Sequence, residues 1–464
     1  MNAILPYIPE TITVHLGRPN ENAPNVTVPF LDYVANVASS EIYPTWPESA
    51  IRANIYAQIS FALNRIYTEY YRSRGYPFDI TNSTTIDQYY VNGREIFDNI
   101  RDIAGEVFNN YVVRQGYVEP LFTQYCNGTT VTCQGLSQWG TVELANQGLT
   151  PYEILQYYYG NDINIVTAPI MPAGAVAPKL PLRLGSTGND VRIAQIRLNR
   201  ISANYPSIPK IALTDGIFLE DTEAAVRRFQ EIFGLTVDGI IGQSTWYNIE
   251  IIYNSVKRLS ELDSEGLLFD EVSLQFPSIL QYGDRNSGVR YLQYLINYLS
   301  AFYETIPTIA VDGIFGEETR RAVLALQSTF ELTEDGIVGR NTWDALTNAY
   351  RGIIDEVDLN YQPSVVIPYQ GVPLRIGADS ETVRLLQEYL YQISLSIPEI
   401  PKVTPTGYFG PLTQNAVIAF QNLVGEEPDG YVDSQTWNAI TDLYMDLYEG
   451  GQLNEGQYPG FNIQ

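Results

Sequence analysis

Two hydrophobic periods divide this chain. Near the start apolar and polar residues alternate: Ile12, Val14 and Leu16, then Val26 and Val28 running into Phe30, which predicts two short strands. Further on the period lengthens, and Ile51, Ile55, Ile59, Ala62, Ile66 and Tyr70 fall on one face of a helix that should end near Gly75. Thr45 with Glu48 three residues on reads as a capping box at its start, and Pro47 is tolerated in a first helical turn. Glu41 then falls in the bend just before that helix, close in sequence to Tyr43 and Trp46.

The back half repeats. Asp215-Gly216-Ile217-Phe218 returns as Asp312-Gly313-Ile314-Phe315 and, altered, as Thr406-Gly407-Tyr408-Phe409. Each copy carries Val-Arg-x-x-Gln upstream (Gln195, Gln293, Gln387), a Thr four residues after the Phe, a second Gln (Gln230, Gln327, Gln421) and a Trp (Trp246, Trp343, Trp437). The copies are offset by 97 and 94 residues at the tryptophan, which is a tandem array. Val191, Gln195 and Leu198 share a helix face after an Asn189/Asp190 cap. Val226, Phe229 and Phe233 form a second stripe that Gly234 ends, and a third helix should start around Ser244, Asn341 and Gln435. The Asp-Gly pairs between them mark turns. Each copy is long enough to stand alone, so the array reads as separate beads and not as solenoid turns.

At 464 residues the chain is too long for one core. Its 53 acidic against 27 basic side chains give a net charge of −26, which repels nucleic acid and anionic lipid, so neither is an expected partner. The first ten residues lack a basic start and hold two prolines, so they do not read as a secretory signal. One histidine, His15, serves the whole chain, so a His-based triad or a multi-His zinc site has no material, and His15 reads as a strand residue. Carboxylate chemistry remains. Glu48 reads as a cap, Glu69 as solvated, and Asp79 and Asp87 as loop acids; Glu41, beside two aromatic residues, is the candidate.

The repeat resembles the peptidoglycan-binding domain 1 family, with its DGxFGxxT, AV…FQ and DGxxGxxTW blocks, over about 179–259, 276–354 and 369–450. The front segment resembles the SpoIID/LytB sporulation family. The signature of that family is matched by Gly135-Leu136-Ser137-Gln138-Trp139-Gly140, with Thr141 in place of Ala, then Gly148, Tyr152 to Leu155 and Tyr157 to Gly160. Asp87-Gln88-Tyr89-Tyr90 sits where the family has Cys-Gln-x-Tyr. The clostridial spore-cortex-lytic enzymes join such a domain to a peptidoglycan-binding module.

The expected fold is therefore multidomain and mainly α. An N-terminal α+β domain (1–165) and a linker (166–178) precede three small three-helix peptidoglycan-binding domains, and a tail (451–464) follows. The resemblance implies a lytic transglycosylase that cuts the MurNAc–GlcNAc bond of spore cortex or cell-wall peptidoglycan and leaves a 1,6-anhydro ring. Glu41 would be catalytic, and Tyr43, Trp46, Gln88, Ser137 and Gln138 would bind substrate; no cofactor and no metal are expected. Burial against Tyr43 and Trp46 should raise the Glu41 pKa more than the following helix start lowers it. The alternative is a non-catalytic wall or spore protein, or an amidase enhancer. Cys126 and Cys133 flank a turn-like Asn127-Gly128-Thr129-Thr130 and are either a disulfide or two free thiols. Some members of the sporulation family bind zinc near this loop, but the position of their His is Thr132 here.

Overall fold

A computed structural model describes residues 7–168, 170–171, 181–267, 279–300, 302–310, 313–356 and 366–448. The first six residues, linker residues 172–178, Asp312 and the tail 451–464 lie outside the described residues.

The alternating segments pair as expected: β2 (Thr11–His15) runs antiparallel to β3 (Asn25–Pro29), and β4 (Ile80–Thr81) joins β2 in parallel to complete a three-stranded sheet. β5 (Asn110–Arg114) pairs with β8 (Ile163–Thr167), and β1 (Ile8–Pro9) with β9 (Ile170–Met171), so strand pairing carries the front domain past residue 165. Against these lie α1 (Phe30–Glu41), α2 (Glu48–Tyr67) and α3 (Asp98–Val107). α4 (Gln138–Asn146) and α5 (Pro151–Tyr159) complete the domain.

α2 departs from the one-faced helix its apolar period suggests. Residues Ala50 to Arg65 are buried on every side, because α1, α3, α4, α5 and β5 surround it. Some of its polar residues find partners inside: Asn54 donates to the Ala50 carbonyl and to Thr141 Oγ1 (2.9 Å), and Ser60 Oγ accepts from the Val112 amide (2.8 Å). The capping box does not form: Pro47 is the N-cap and has no side chain to offer, while Glu48 pairs with Arg52. α2 stops at Tyr67, and Gly75 closes a separate 3-10 turn, Arg72–Arg74.

Each repeat is three helices: α6 (Asn189–Asn204), α7 (Glu220–Ile232) and α8 (Gln243–Lys257) in module 1, α9 (Ser287–Ser300), α10 (Glu317–Thr329) and α11 (Arg340–Glu356) in module 2. α12 (Glu381–Ser396), α13 (Pro411–Val424) and α14 (Ser434–Tyr448) make module 3. The recurring glutamines hold the turns. Gln195 Oε1 accepts from the Gly216 amide (2.9 Å), and its Nε2 donates to the Ile217 carbonyl (2.9 Å) and Thr222 Oγ1 (3.1 Å). Gln230 does the same for the second turn, accepting from Gly239 N (2.9 Å) and donating to Asp238 Oδ1 (2.8 Å) and the Ile240 carbonyl (3.0 Å). Gln327 and Gln421 repeat the pattern. The Gln and Thr of the motif thus satisfy backbone groups that burial would otherwise strand.

Gly234 takes φ +67° just after α7 and its C-cap Phe233, as its position in the stripe requires. The other expected caps do not hold. α6 begins after Gly188 and α8 after Gly242, without side-chain caps, and Asn341 and Gln435 lie inside the first turns of α11 and α14.

Nor are the modules separate beads. The front domain and module 3 share one hydrophobic core, and modules 1 and 2 share another that takes in Val118 of the front domain. Tyr56 donates to the Gly371 carbonyl (3.1 Å), and the Thr167 and Ser434 hydroxyls meet. Asn64 reaches the Leu259 carbonyl (2.8 Å), Asn254 the Thr68 carbonyl (2.7 Å), and Asn189 reaches Thr347 Oγ1 (3.0 Å).

Candidate functional site

Glu41 is not in a bend; it is the last residue of α1. Tyr33, Val34, Val37 and Ala38 bury one side of that helix, and this carries the carboxylate to the junction of α1, α2 and α4. Four donors converge on it. Gln58 Nε2 (3.0 Å) and Gln138 Nε2 (3.1 Å) reach Oε2, the Tyr89 amide reaches Oε1 (2.8 Å), and the Tyr125 hydroxyl completes the set. Burial raises the Glu41 pKa above the ordinary carboxylate value, and these hydrogen bonds, led by the Tyr89 amide, only partly oppose it. The dipole acting on it is the negative end of α1, which works in the same direction as burial, not the start of α2.

The remaining predicted residues divide. Gln138 is brought to Glu41. Gln88 is buried one layer back: it accepts from Tyr33 Oη (2.8 Å) and donates to the Gln58 carbonyl (2.9 Å) and Tyr125 Oη (3.1 Å). Its amide leaves the Tyr125 proton free to point at Glu41. Ser137 is the N-cap of α4, accepting from the Gly140 amide (3.0 Å), so it shapes the helix that presents Gln138. A Cβ at Gly140 would meet Tyr158 Oη at 2.1 Å, so any larger residue there would have to push that ring aside. Thr141, where the resembled family has Ala, anchors α4 by accepting from Asn54.

Tyr43 and Trp46 do lie together, with ring centroids 5.8 Å apart, but Trp46 is nearly buried while Tyr43 is 56 % exposed. Trp139, beside Gln138 in sequence, joins them at 4.9 Å from Trp46 and 5.8 Å from Tyr43. Sequence reasoning missed Trp139, Gln58 and Tyr125. A glutamine inside an apolar helix was the available sign for Gln58; for Tyr125 there was none beyond its neighbour Cys126. The sulfurs of Cys126 and Cys133 are joined, and Asn127 Oδ1 accepts from three successive amides, Thr129 to Val131, within the loop. That loop supports α4, because the Trp139 amide donates to the Asn127 carbonyl (3.2 Å).

The other acids are structural. Asp87, expected in a solvated loop, is buried and bonded to Arg65, Tyr71 and Thr81; Asp79 pairs with Arg72. Glu69, expected in solvent, is 5 % exposed. His15 uses both ring nitrogens, on Asn25 Oδ1 (2.7 Å) and the Arg18 carbonyl (3.1 Å), and stacks on Phe78.

Residues 187–249, 285–346 and 379–440 match a family model described as a putative peptidoglycan binding domain. The chain is similar to the N-acetylmuramoyl-L-alanine amidase CwlL of Bacillus licheniformis, 31% identical over 169 residues, 35% of this chain and 43% of that one. It is also similar to the zinc D-Ala-D-Ala carboxypeptidase of Streptomyces albus G, 45% over 65 residues, 14% of this chain and 24% of that one. A third relative is the N-acetylmuramoyl-L-alanine amidase CwlM of Mycobacterium tuberculosis, 35% over 130 residues, 28% and 27% of the two chains. The chain thus spans less than half the length of these relatives. No helix among the described residues is long and apolar enough to cross a membrane. The chain thus carries three modules that match the putative peptidoglycan binding domain.

Proposed function

We propose that this protein is a lytic transglycosylase of peptidoglycan, with Glu41 as its catalytic acid and base and spore cortex or cell wall as its substrate. The observation that carries the reading is the Glu41 site itself: a carboxyl group with a raised pKa, four converging donors and a partly open aromatic wall. The motif blocks that resemble the SpoIID/LytB family supply Glu41, Gln88 and Gln138 in order, and all three meet at this site or directly behind it.

Glycoside cleavage with one carboxyl group requires the substrate to supply the nucleophile. In its acid form Glu41 protonates the glycosidic oxygen as the bond from the muramoyl C1 breaks. The muramoyl 6-hydroxyl then forms the new bond to C1, and its proton passes to the Glu41 carboxylate. Atoms balance without water, and Glu41 ends as it began. Desolvation favours the acid form that the first step needs. Gln58 suits both states: its Nε2 donates to the carboxylate, while its buried Oε1 has no partner and, after a half-turn of the amide, would accept from the acid. Tyr43 and Trp139 offer exposed ring faces against which sugar C–H surfaces can lie.

A second reading, amide hydrolysis, rests on the amidase names of two relatives. The single histidine argues against it, since the two nitrogens of His15 face Asn25 Oδ1 and the Arg18 carbonyl, away from Glu41. Glu41→Gln decides. The glutamine keeps the shape but cannot cycle a proton, so release of anhydro-muropeptides should fall about 10²-fold or more. Undiminished release overturns the assignment. A wild-type protein that releases none, and instead stimulates an added amidase, identifies an enhancer.

A further inference from the structure

Where module 1 meets the front domain, a second polar site is built away from Glu41. A cleft of about 580 Å³ opens between the segment Arg72 to Tyr76 and the first turn of α8, lined there by Gln243, Ser244, Tyr247 and Asn248. Its two walls are fixed to one another nearby by the hydrogen bond from Asn254 to the Thr68 carbonyl.

Three features of the lining favour an anion. α8 starts at Gly242, which has no side chain to accept from the amides of the first turn, and the positive end of the helix dipole lies at this wall of the cleft. Ser73 lines the cleft, is 7 % exposed, and its hydroxyl has no hydrogen-bond partner. Arg72 is offset by Asp79, but Arg74 is exposed, touches the carbonyl and ring of Tyr70, and has no carboxylate paired with it among the described residues. At the corresponding helix starts of the other modules, Arg340 of α11 pairs with Asp190, and Ser434 of α14 meets Thr167.

We propose that the cleft binds a carboxylate of the peptidoglycan stem peptide, so that the wall polymer is gripped between module 1 and the catalytic domain. This rests on the reading of the protein as peptidoglycan-binding. A single uncompensated arginine in a chain of net charge −26 suits a lone carboxylate and disfavours a densely phosphorylated polymer.

The test uses the full chain and N-acetylmuramoyl-L-alanyl-D-isoglutamine, which bears one free carboxylate, titrated by calorimetry beside its amide. The free acid should bind at least about tenfold tighter than the amide. Arg74→Ala and Ser244→Asp should each weaken it about tenfold or more. Both positions are exposed, and an aspartate in a first helical turn stabilises the helix, so loss of binding by Ser244→Asp cannot be unfolding. Equal binding of acid and amide, no binding, or binding indifferent to both variants overturns the proposal. Sedimentation of the wild-type chain with insoluble peptidoglycan is measured in parallel: if it persists while the cleft arms fail, the cleft is wrong and the peptidoglycan reading stands, and if it fails too, that reading falls as well.

Discussion

Gln138 Nε2 lies 3.1 Å from Glu41 Oε2 although 97 residues separate them in the chain. The contact joins the end of one helix to the first residue of another, so the state of the carboxyl group depends on how α1, α2 and α4 pack together.

Tyr125→Phe removes a donor that stabilises the ionised form of Glu41. Losing such a hydrogen bond raises the pKa of an acid, so the pH limb for loss of the acid form should move to higher pH. The maximal rate should fall as well. A pH–rate profile of anhydro-muropeptide release checks this, and an unmoved limb would place Tyr125 outside the working site.

Trp139→Ala should act on binding. The ring is 42 % exposed and packs on Trp46 and Tyr43, so its removal takes away sugar-contact area without touching the carboxyl group. An apparent KM raised about tenfold with kcat within about threefold is expected, as for roughly 1.4 kcal/mol of lost contact. A fall in kcat alone would assign Trp139 to orienting Gln138.

Gln230→Ala should destabilise module 1. Its amide serves Gly239, Asp238, Ile240 and Thr245, and removal strands buried backbone groups, a cost of about 2–4 kcal/mol. Urea unfolding should show the loss, and Gln230→Glu should not rescue it, since a carboxylate cannot donate to Asp238 or to the Ile240 carbonyl.

Glu426 in module 3 makes stability depend on pH. Burial raises its pKa to about 7, while Thr436 donates to it. A folded pKa above the unfolded one means that the contribution is fully present below about pH 4.5 and is lost as pH rises through about 7. Glu426→Gln should therefore stabilise the chain at pH 8, by about 1–2 kcal/mol, and change little at pH 4. Thermal melts at the two pH values test the sign.

The repeats, their turns and the separate character of the front domain were legible in the sequence because each follows from local chemistry. Asp-Gly specifies a turn, a Trp and Val at helical spacing specify a core face, and three copies corroborate one another. Gly234 could be placed from its position alone. The same reasoning misplaced Glu41, since Pro44 and Pro47 drew attention to a bend and hid the apolar run Tyr33, Val34, Val37, Ala38 that makes α1. It also read α2 as one-faced, although polar Asn54, Gln58 and Ser60 are buried with the rest and could be placed only once their partners were known.

Local pattern was thus enough for the set of units and for one candidate acid among many carboxylates. Only the packing of whole elements sets which donors surround that acid, places Gln88 and Ser137 behind the site, and docks the modules on the front domain and on each other. The reason is range. Helix period and turn type act over a few residues, whereas the Glu41 donors come from positions 17 to 97 residues away, and the contact of Tyr56 with Gly371 spans 315. Contacts of that separation leave no periodic trace in a single sequence, because each depends on how whole elements pack.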